Sequence, residues 1–162
     1  MKVTKEGMTK KDIEMLSDIM SRQDFKFGEC SDKTRIKIVR IQMIIDPIAE
    51  AVKKARETAD KQFMSSRLKE LLEKVQQQKM MSDDPDVYEF NKLLKAYNEN
   101  VKEAMTPVLD ATVDVKLEKL SLSEYDSVLD SNADWISGGT PKFLFLNIVD
   151  DKPEEKTEEA TK

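Results

Sequence analysis

The sequence predicts a mainly α-helical protein with a small β element (α+β), in which a long antiparallel, coiled-coil-like helical hairpin carries short strands and short helices at its base. Apolar residues recur at coiled-coil spacing on both sides of one acidic turn. Charged residues make up 36% of the chain and hydrophobic residues only 39%, with just 4 glycines and 5 prolines. An extended hairpin exposes more surface per residue than a compact globule, so it accommodates this much charge.

The first long helix of the hairpin is predicted over residues 32–80. Pro47 lacks an amide hydrogen and is expected to kink this helix. The pair at residues 65–66, two serines, is a second position where the helix could break and a new segment be capped, so its continuity past Ser65 stays open. The residues of its apolar seam alternate in steps of four and three: they are Ile41, Ile45, Ile48, Val52, Ala55 and Ala59.

The partner helix is predicted over residues 85–105. Asp83 or Asp84 is placed to cap its start, and Pro85 occupies a first helical position that needs no amide hydrogen. The short turn makes the two helices antiparallel neighbours, and burial of the two seams, at about 25 cal/mol per Å², is the main stabilising term. Pro107 is expected to end this helix. Its seam consists of Val87, Phe90, Leu94, Tyr97, Val101 and Ala104.

Shorter elements are predicted at the base of the hairpin. A capping pattern at Thr9 predicts a short helix that ends near residue 21, and a capping box at Ser121 predicts another. Strands are predicted near residues 25–27, 112–118 and 143–149 from alternating or aromatic-rich apolar residues. We expect the first two strands to pair with each other. The third either completes this sheet or pairs with another chain.

The chain is predicted to form a single domain over residues 1–149, followed by a disordered acidic tail over residues 150–162. The tail holds six acidic and three basic residues, and so about −3 of the net charge of −5. It has no large apolar residue to bury. A single cysteine, Cys30, excludes an intramolecular disulfide and favours a reducing compartment. No segment approaches the roughly 20 apolar residues of a membrane span, and no signal peptide is indicated.

The side chains that most enzymes use are scarce in this sequence. Histidine is absent, which removes the commonest general base and metal ligand. One cysteine cannot form a zinc site, and the glycine pair at residues 138–139 lacks the lysine of a phosphate-binding loop. The acidic turn at residues 83–86 does not have the spacing of a calcium loop, so helix capping is the favoured interpretation. We expect no enzymatic activity, no metal and no cofactor.

Six residues are candidates for binding a partner. Lys37 and its neighbours share one helix face near a helix N-terminus, where the macrodipole disfavours cations, so this stripe could bind phosphate or an acidic partner. A solvated helix face is the alternative. The methionines near the turn could form an adaptable contact surface or simply pack there. The candidates are Lys33, Lys37, Arg40, Met80, Met81 and Trp135.

The order of the elements resembles that of a known group of proteins. The features that carry it are a basic, hydroxyl-containing helix start at residues 31–39, a long helix, an Asp-rich turn, the segment EFNKLL at residues 89–94, and an exit strand into LSLS at residues 120–123 with Leu129 after it. Over roughly residues 24–130 the chain resembles small uncharacterised helical-hairpin proteins encoded by tailed bacteriophages and prophages, often near tail and structural genes. The segment from Asn132 onward departs from that pattern. The resemblance implies phage origin and a part in virion or tail assembly, and it supplies no catalytic residues.

From these observations we expect a phage-encoded, non-enzymatic protein–protein interaction protein, either a tail or virion assembly factor or a minor structural component. It would act in the host cytoplasm or on the virion. Its partners would be phage structural proteins or a host protein, with no membrane, and self-association stays open. The alternative is a small inhibitor of a host enzyme or defence system, since the net charge of −5 suits covering a basic site. A nucleic-acid-binding accessory protein ranks last, because no domain is basic.

Overall fold

A computed structural model describes residues 7–151 of the chain. Within them it contains six helices and a two-stranded antiparallel sheet, which confirms a mainly helical protein with a small β element. In chain order the elements are β1 (Met8–Thr9), α1 (Lys10–Met20), α2 (Asp32–Phe63), α3 (Ser66–Gln76), α4 (Pro85–Asp110), β2 (Thr112–Val113), α5 (Leu122–Ser131) and α6 (Thr140–Ile148).

Several helices begin where local capping residues predict them. The Thr9 hydroxyl accepts a hydrogen bond from the Asp12 amide at the start of α1. Asp84 caps α4, with Pro85 in its first turn. A complete capping box joins Ser121 and Glu124 at the start of α5. These starts were predictable because a cap needs only a hydroxyl or carboxylate and an orphan amide two or three residues away.

The predicted helix over residues 32–80 is two helices. α2 ends at Phe63, and the Ser65 hydroxyl accepts a hydrogen bond from the Leu68 amide to begin α3. Pro47 lies inside α2. The break therefore occurs at the capping serine, because a new cap satisfies the amides that an interrupted helix leaves without partners.

The predicted end of the partner helix near residue 105 is wrong, since α4 continues to Asp110 with Pro107 inside it. The proline removes one backbone hydrogen bond. Val108 and Leu109, which follow it, are partly buried against the cluster of Val52, Ala59 and Met105. This partial burial favours continuation of the helix despite the lost hydrogen bond.

The small sheet pairs other segments than predicted. β1 runs antiparallel to β2, with Met8 opposite Val113, so the predicted strand over residues 112–118 shrinks to its first two residues. Residues 25–27 form no strand. Instead, the buried Asn132 side chain accepts a hydrogen bond from the Lys26 amide at 2.7 Å and donates to the Lys26 carbonyl at 3.0 Å. One side-chain amide thus satisfies the backbone groups that a neighbouring strand would have paired.

The predicted strand over residues 143–149 is also wrong, because α6 covers nearly all of it. Leu144 and Ile148, one helical turn apart, are buried in the core. Only Val149 forms a bridge, parallel to Leu120. A short apolar run fits a buried helix as well as a strand, and packing against the core selects the helix.

Among the described residues, two apolar clusters join α1, α2, α4, α5 and α6. The larger, here called the base core, consists of Ile13, Leu16, Met20, Cys30, Ile38, Ile41, Ile45, Leu120, Val128, Leu144 and Ile148. The smaller, between α2 and α4, consists of Val52, Ala59 and Met105. The predicted α2 seam is therefore divided: Ile48 packs on the base core, whereas Ala55 packs on the smaller cluster with Val101 of α4.

Two further expectations concern membrane-spanning helices and the C-terminal tail. Among residues 7–151, no helix combines the length and apolar character that crossing a membrane requires. The predicted disordered tail over residues 150–162 lies outside the described residues, apart from its first two.

Candidate protein-binding face

A row of apolar side chains lies exposed on the first half of α2. Ile36, Val39 and Met43 are 50%, 48% and 72% exposed, and Pro47 is exposed as well. Their steps of three, four and four place them on one side of a helix. We call these four residues the α2 outer face.

The opposite side of the same helix segment is anchored in the protein. Ile38, Ile41 and Ile45 are completely or almost completely buried in the base core. Ser31 caps the helix through the Thr34 amide and fixes where it starts. The outer face is therefore held on a rigid element, and apolar groups are presented to water because the inward side is already filled.

Such a row is energetically unfavourable in the isolated chain. Single exposed apolar side chains are normal on protein surfaces, whereas a contiguous apolar row on one helix is a candidate interaction site. Covering apolar surface contributes about 25 cal/mol per Å². A partner that covers the α2 outer face would gain this term.

The predicted basic stripe is divided by the fold. Lys33 and Arg40 are exposed beside the α2 outer face, and Arg40 forms an exposed ion pair with Glu118 at 2.9 Å. Lys37 instead turns toward α5, where its Nζ lies 2.6 Å from a carboxylate oxygen of Glu124 and 3.0 Å from the Lys119 carbonyl. Two of the three predicted cations thus flank the outer face, while the third holds α2 against α5.

Glu124 is the centre of this internal contact. Its carboxylate, only 11% exposed, accepts hydrogen bonds from Lys37, from the Ser121 amide and from the Thr34 hydroxyl. Burial by itself would raise the pKa of Glu124, but these hydrogen bonds hold the pKa below its usual value. The ionised Glu124 carboxylate therefore holds the start of α5 against α2.

The remaining predicted residues lie elsewhere. Met81, in the turn before α4, is 69% exposed, and Met80 is half-buried. Tyr88, four residues into α4, is 78% exposed and was not predicted. The Trp135 ring contacts Phe25, and its indole N–H donates to Asn132 at 2.9 Å. Trp135 therefore makes its contacts within the chain.

The cations Lys33 and Arg40 were predicted as candidates from the sequence, whereas the apolar row beside them was missed. A signal was present, since apolar residues from Ile36 to Ile48 occupy more of the helix circumference than one seam requires. A helix that is apolar on two sides needs two partners. Which side the protein itself covers could not be read from the spacing.

The described residues offer little for metal chemistry. Across residues 7–151, no group of three or more acidic, cysteine or histidine side chains is arranged to hold a metal ion.

Comparisons with protein-family models, with curated proteins and with solved structures found no match to this chain.

Proposed function

We propose that this chain is a non-enzymatic protein–protein interaction protein whose α2 outer face binds an amphipathic helix of its partner. The observation that carries the proposal is the exposed row formed by Ile36, Val39, Met43 and Pro47, on a helix whose other side is anchored in the base core. An exposed apolar stripe on a fixed helix is the arrangement that accepts a second helix through apolar anchors.

The surrounding charges define the partner's chemistry. Lys33 and Arg40 lie along one side of the α2 outer face. A partner helix with acidic residues beside its apolar stripe would place them opposite these cations, which speeds association and fixes orientation more than it adds affinity. The expected partner is therefore an acidic amphipathic helix.

A long helical hairpin would give this face its rigidity. Contacts of α4 with α2 and with α3 support such a hairpin. The Tyr97 hydroxyl of α4 donates a hydrogen bond to Asp60 of α2 at 2.7 Å, and Arg67 of α3 contacts Glu89 of α4 at 2.9 Å. A rigid scaffold loses little conformational entropy when it binds. We propose that the protein acts as a tail or virion assembly factor, or as a minor structural component, of a tailed phage.

The direct test compares Met43→Glu with Gln62→Glu in affinity capture from lysates that contain the phage structural proteins. Met43 and Gln62 are both exposed on α2, so each variant adds one negative charge to the same helix, but only the first lies on the outer face. We expect the wild-type chain and Gln62→Glu to retain an identified phage structural protein, and Met43→Glu to lose it.

Retention of the same protein by Met43→Glu would contradict the role of the α2 outer face. Capture of a host enzyme instead, lost in the same variant, would favour the inhibitor alternative. Mass spectrometry of purified particles then separates a structural component, which is present at a fixed ratio, from an assembly factor, which is absent.

A further inference from the structure

A cavity of about 390 Å³ lies between α1, α2 and α4. Its volume is at the lower end of the range for small-molecule sites. Val101, Met105 and Leu109 line it from α4 at successive steps of four residues. At about 1.5 Å per residue they form an apolar strip roughly 12 Å long. The cavity therefore offers a narrow apolar surface suited to a chain-like group.

Cations from three different helices line the same cavity. Lys11 comes from α1, Arg56 from α2 and Lys102 from α4, whereas Asp110 is the one acidic residue among the described residues that line it. The whole chain carries a net charge of −5. Glu14, which pairs with Arg56, adds a second carboxylate, so the site keeps a local excess of one positive charge, and this excess favours an anionic ligand.

The fold assembles this arrangement from distant parts of the chain. The pairing of β1 with β2, and a hydrogen bond from the Lys10 amide to the Ala111 carbonyl at 2.9 Å, bring the start of α1 to the end of α4. Both carboxylate oxygens of Glu14 lie 2.9 Å from Nη2 of Arg56. Glu14 therefore holds Arg56 in place and balances its charge, so the positive charge of the lining that faces a ligand is that of Lys11 and Lys102.

We propose that this cavity binds a small aliphatic carboxylate, with its hydrocarbon tail along the α4 strip and its carboxylate beside the exposed lysines Lys11 and Lys102. An anion suits the two lysines, and a hydrocarbon tail suits the apolar strip. A wholly polar anion would leave the strip exposed to water, and a neutral hydrocarbon would leave the cations unused. Arg56, which lines the cavity, is about 200° around the α2 axis from Ile36, which belongs to the α2 outer face. The two sites therefore lie on different sides of α2, and the cavity goes beyond the proposed function.

Isothermal titration calorimetry of the full-length chain with sodium decanoate, below its micelle-forming concentration, tests the proposal. We expect saturable binding of one molecule per chain. Acetate lacks the tail and decanol lacks the charge, so each should bind at least about tenfold more weakly. The absence of saturable binding, or the uptake of several molecules per chain, would overturn the proposal.

A matched pair of variants locates the site. Lys11 and Lys102 are exposed, so the double variant Lys11→Gln/Lys102→Gln should fold normally, which circular dichroism verifies. It should bind decanoate about tenfold more weakly. Lys92→Gln/Lys95→Gln removes two exposed cations of α4 that lie outside the cavity, and its affinity should stay unchanged. Equal affinity in both double variants would reject the assignment.

Discussion

The base core and the opposite end of the molecule are held together by different forces. In the base core, Ile13, Leu16, Ile41 and Ile45 have no exposed surface at all. At the other end, where α3 meets the first turns of α4, the buried side chains are Leu68 and Leu71 among the described residues. We call this second region the α3–α4 end.

Charged side chains supplement the limited apolar contact at the α3–α4 end. Arg67 contacts Asp86 at 3.1 Å and Glu89 at 2.9 Å, and Lys74 contacts Asp86 at 2.6 Å. These side chains are 25–45% exposed, so water and salt screen their attraction. The base core is therefore stabilised by extensive burial, whereas the α3–α4 end has few buried side chains supplemented by screened ion pairs. The α3–α4 end should therefore open locally before the base does.

The largest expected effect is the loss of a base-core side chain. Ile41→Ala should lower the free energy of unfolding by about 2–5 kcal/mol, because it removes buried methyl groups and leaves a cavity. Ile36→Ala, on the same helix but half exposed, should change it by less than about 0.5 kcal/mol. Urea denaturation of both variants measures the difference. Equal losses would mean that Ile41 is not packed in the core.

Glu124→Gln should give the next largest effect, since it leaves Lys37 partly buried without its anion. We expect a loss of about 1–3 kcal/mol at pH 7. Because the pKa of Glu124 is lowered in the folded protein, this contribution is complete above its unfolded pKa of about 4.3 and is lost as pH falls through the folded value. The difference between variant and wild type should shrink accordingly in denaturation curves from pH 7 to pH 3. Glu118→Gln, which removes a more exposed ion pair, is the control.

Salt should separate the two ends directly. Hydrogen bonds from Lys74 lower the pKa of Asp86, and hydrogen bonds from Arg67 lower the pKa of Glu89. Raising the salt concentration, or lowering the pH through these depressed values, should therefore reduce the protection factors of amides in α3 and early α4, each taken relative to the intrinsic exchange rate at that pH, while the base core stays protected. A uniform loss of protection across the protein would show that the two ends are a single cooperative unit.

The smallest expected effect comes from one cation of the α3–α4 end. Arg67→Gln should accelerate exchange only in α3 and the first turns of α4, because Arg67 joins these two segments through Asp86 and Glu89. Lys69→Gln removes a neighbouring exposed charge of α3 and should leave exchange unchanged. A similar response in both variants would assign the effect to net charge and not to the bridging contacts.

Part of the candidate binding face was predictable and part was not. The cations Lys33 and Arg40 were identified because three- and four-residue spacing is visible in the sequence. Lys37 was grouped with them, yet the fold uses it to hold Glu124, which lies 87 residues away in the chain. Ile36 and Met43 were missed because their exposure depends on which side of α2 the base core covers.

Local residue patterns predicted the helical character of the chain and several helix starts, at Thr9, Asp84 and Ser121. Capping and helix propensity act over three or four residues, so local residue types suffice. The absence of a strand at residues 25–27 and the helix over most of residues 143–149 depend on long-range packing. The Asn132 side chain holds Lys26 from 106 residues away in the chain. Contacts of such long range form only in the complete fold, so no local sequence pattern predicts them.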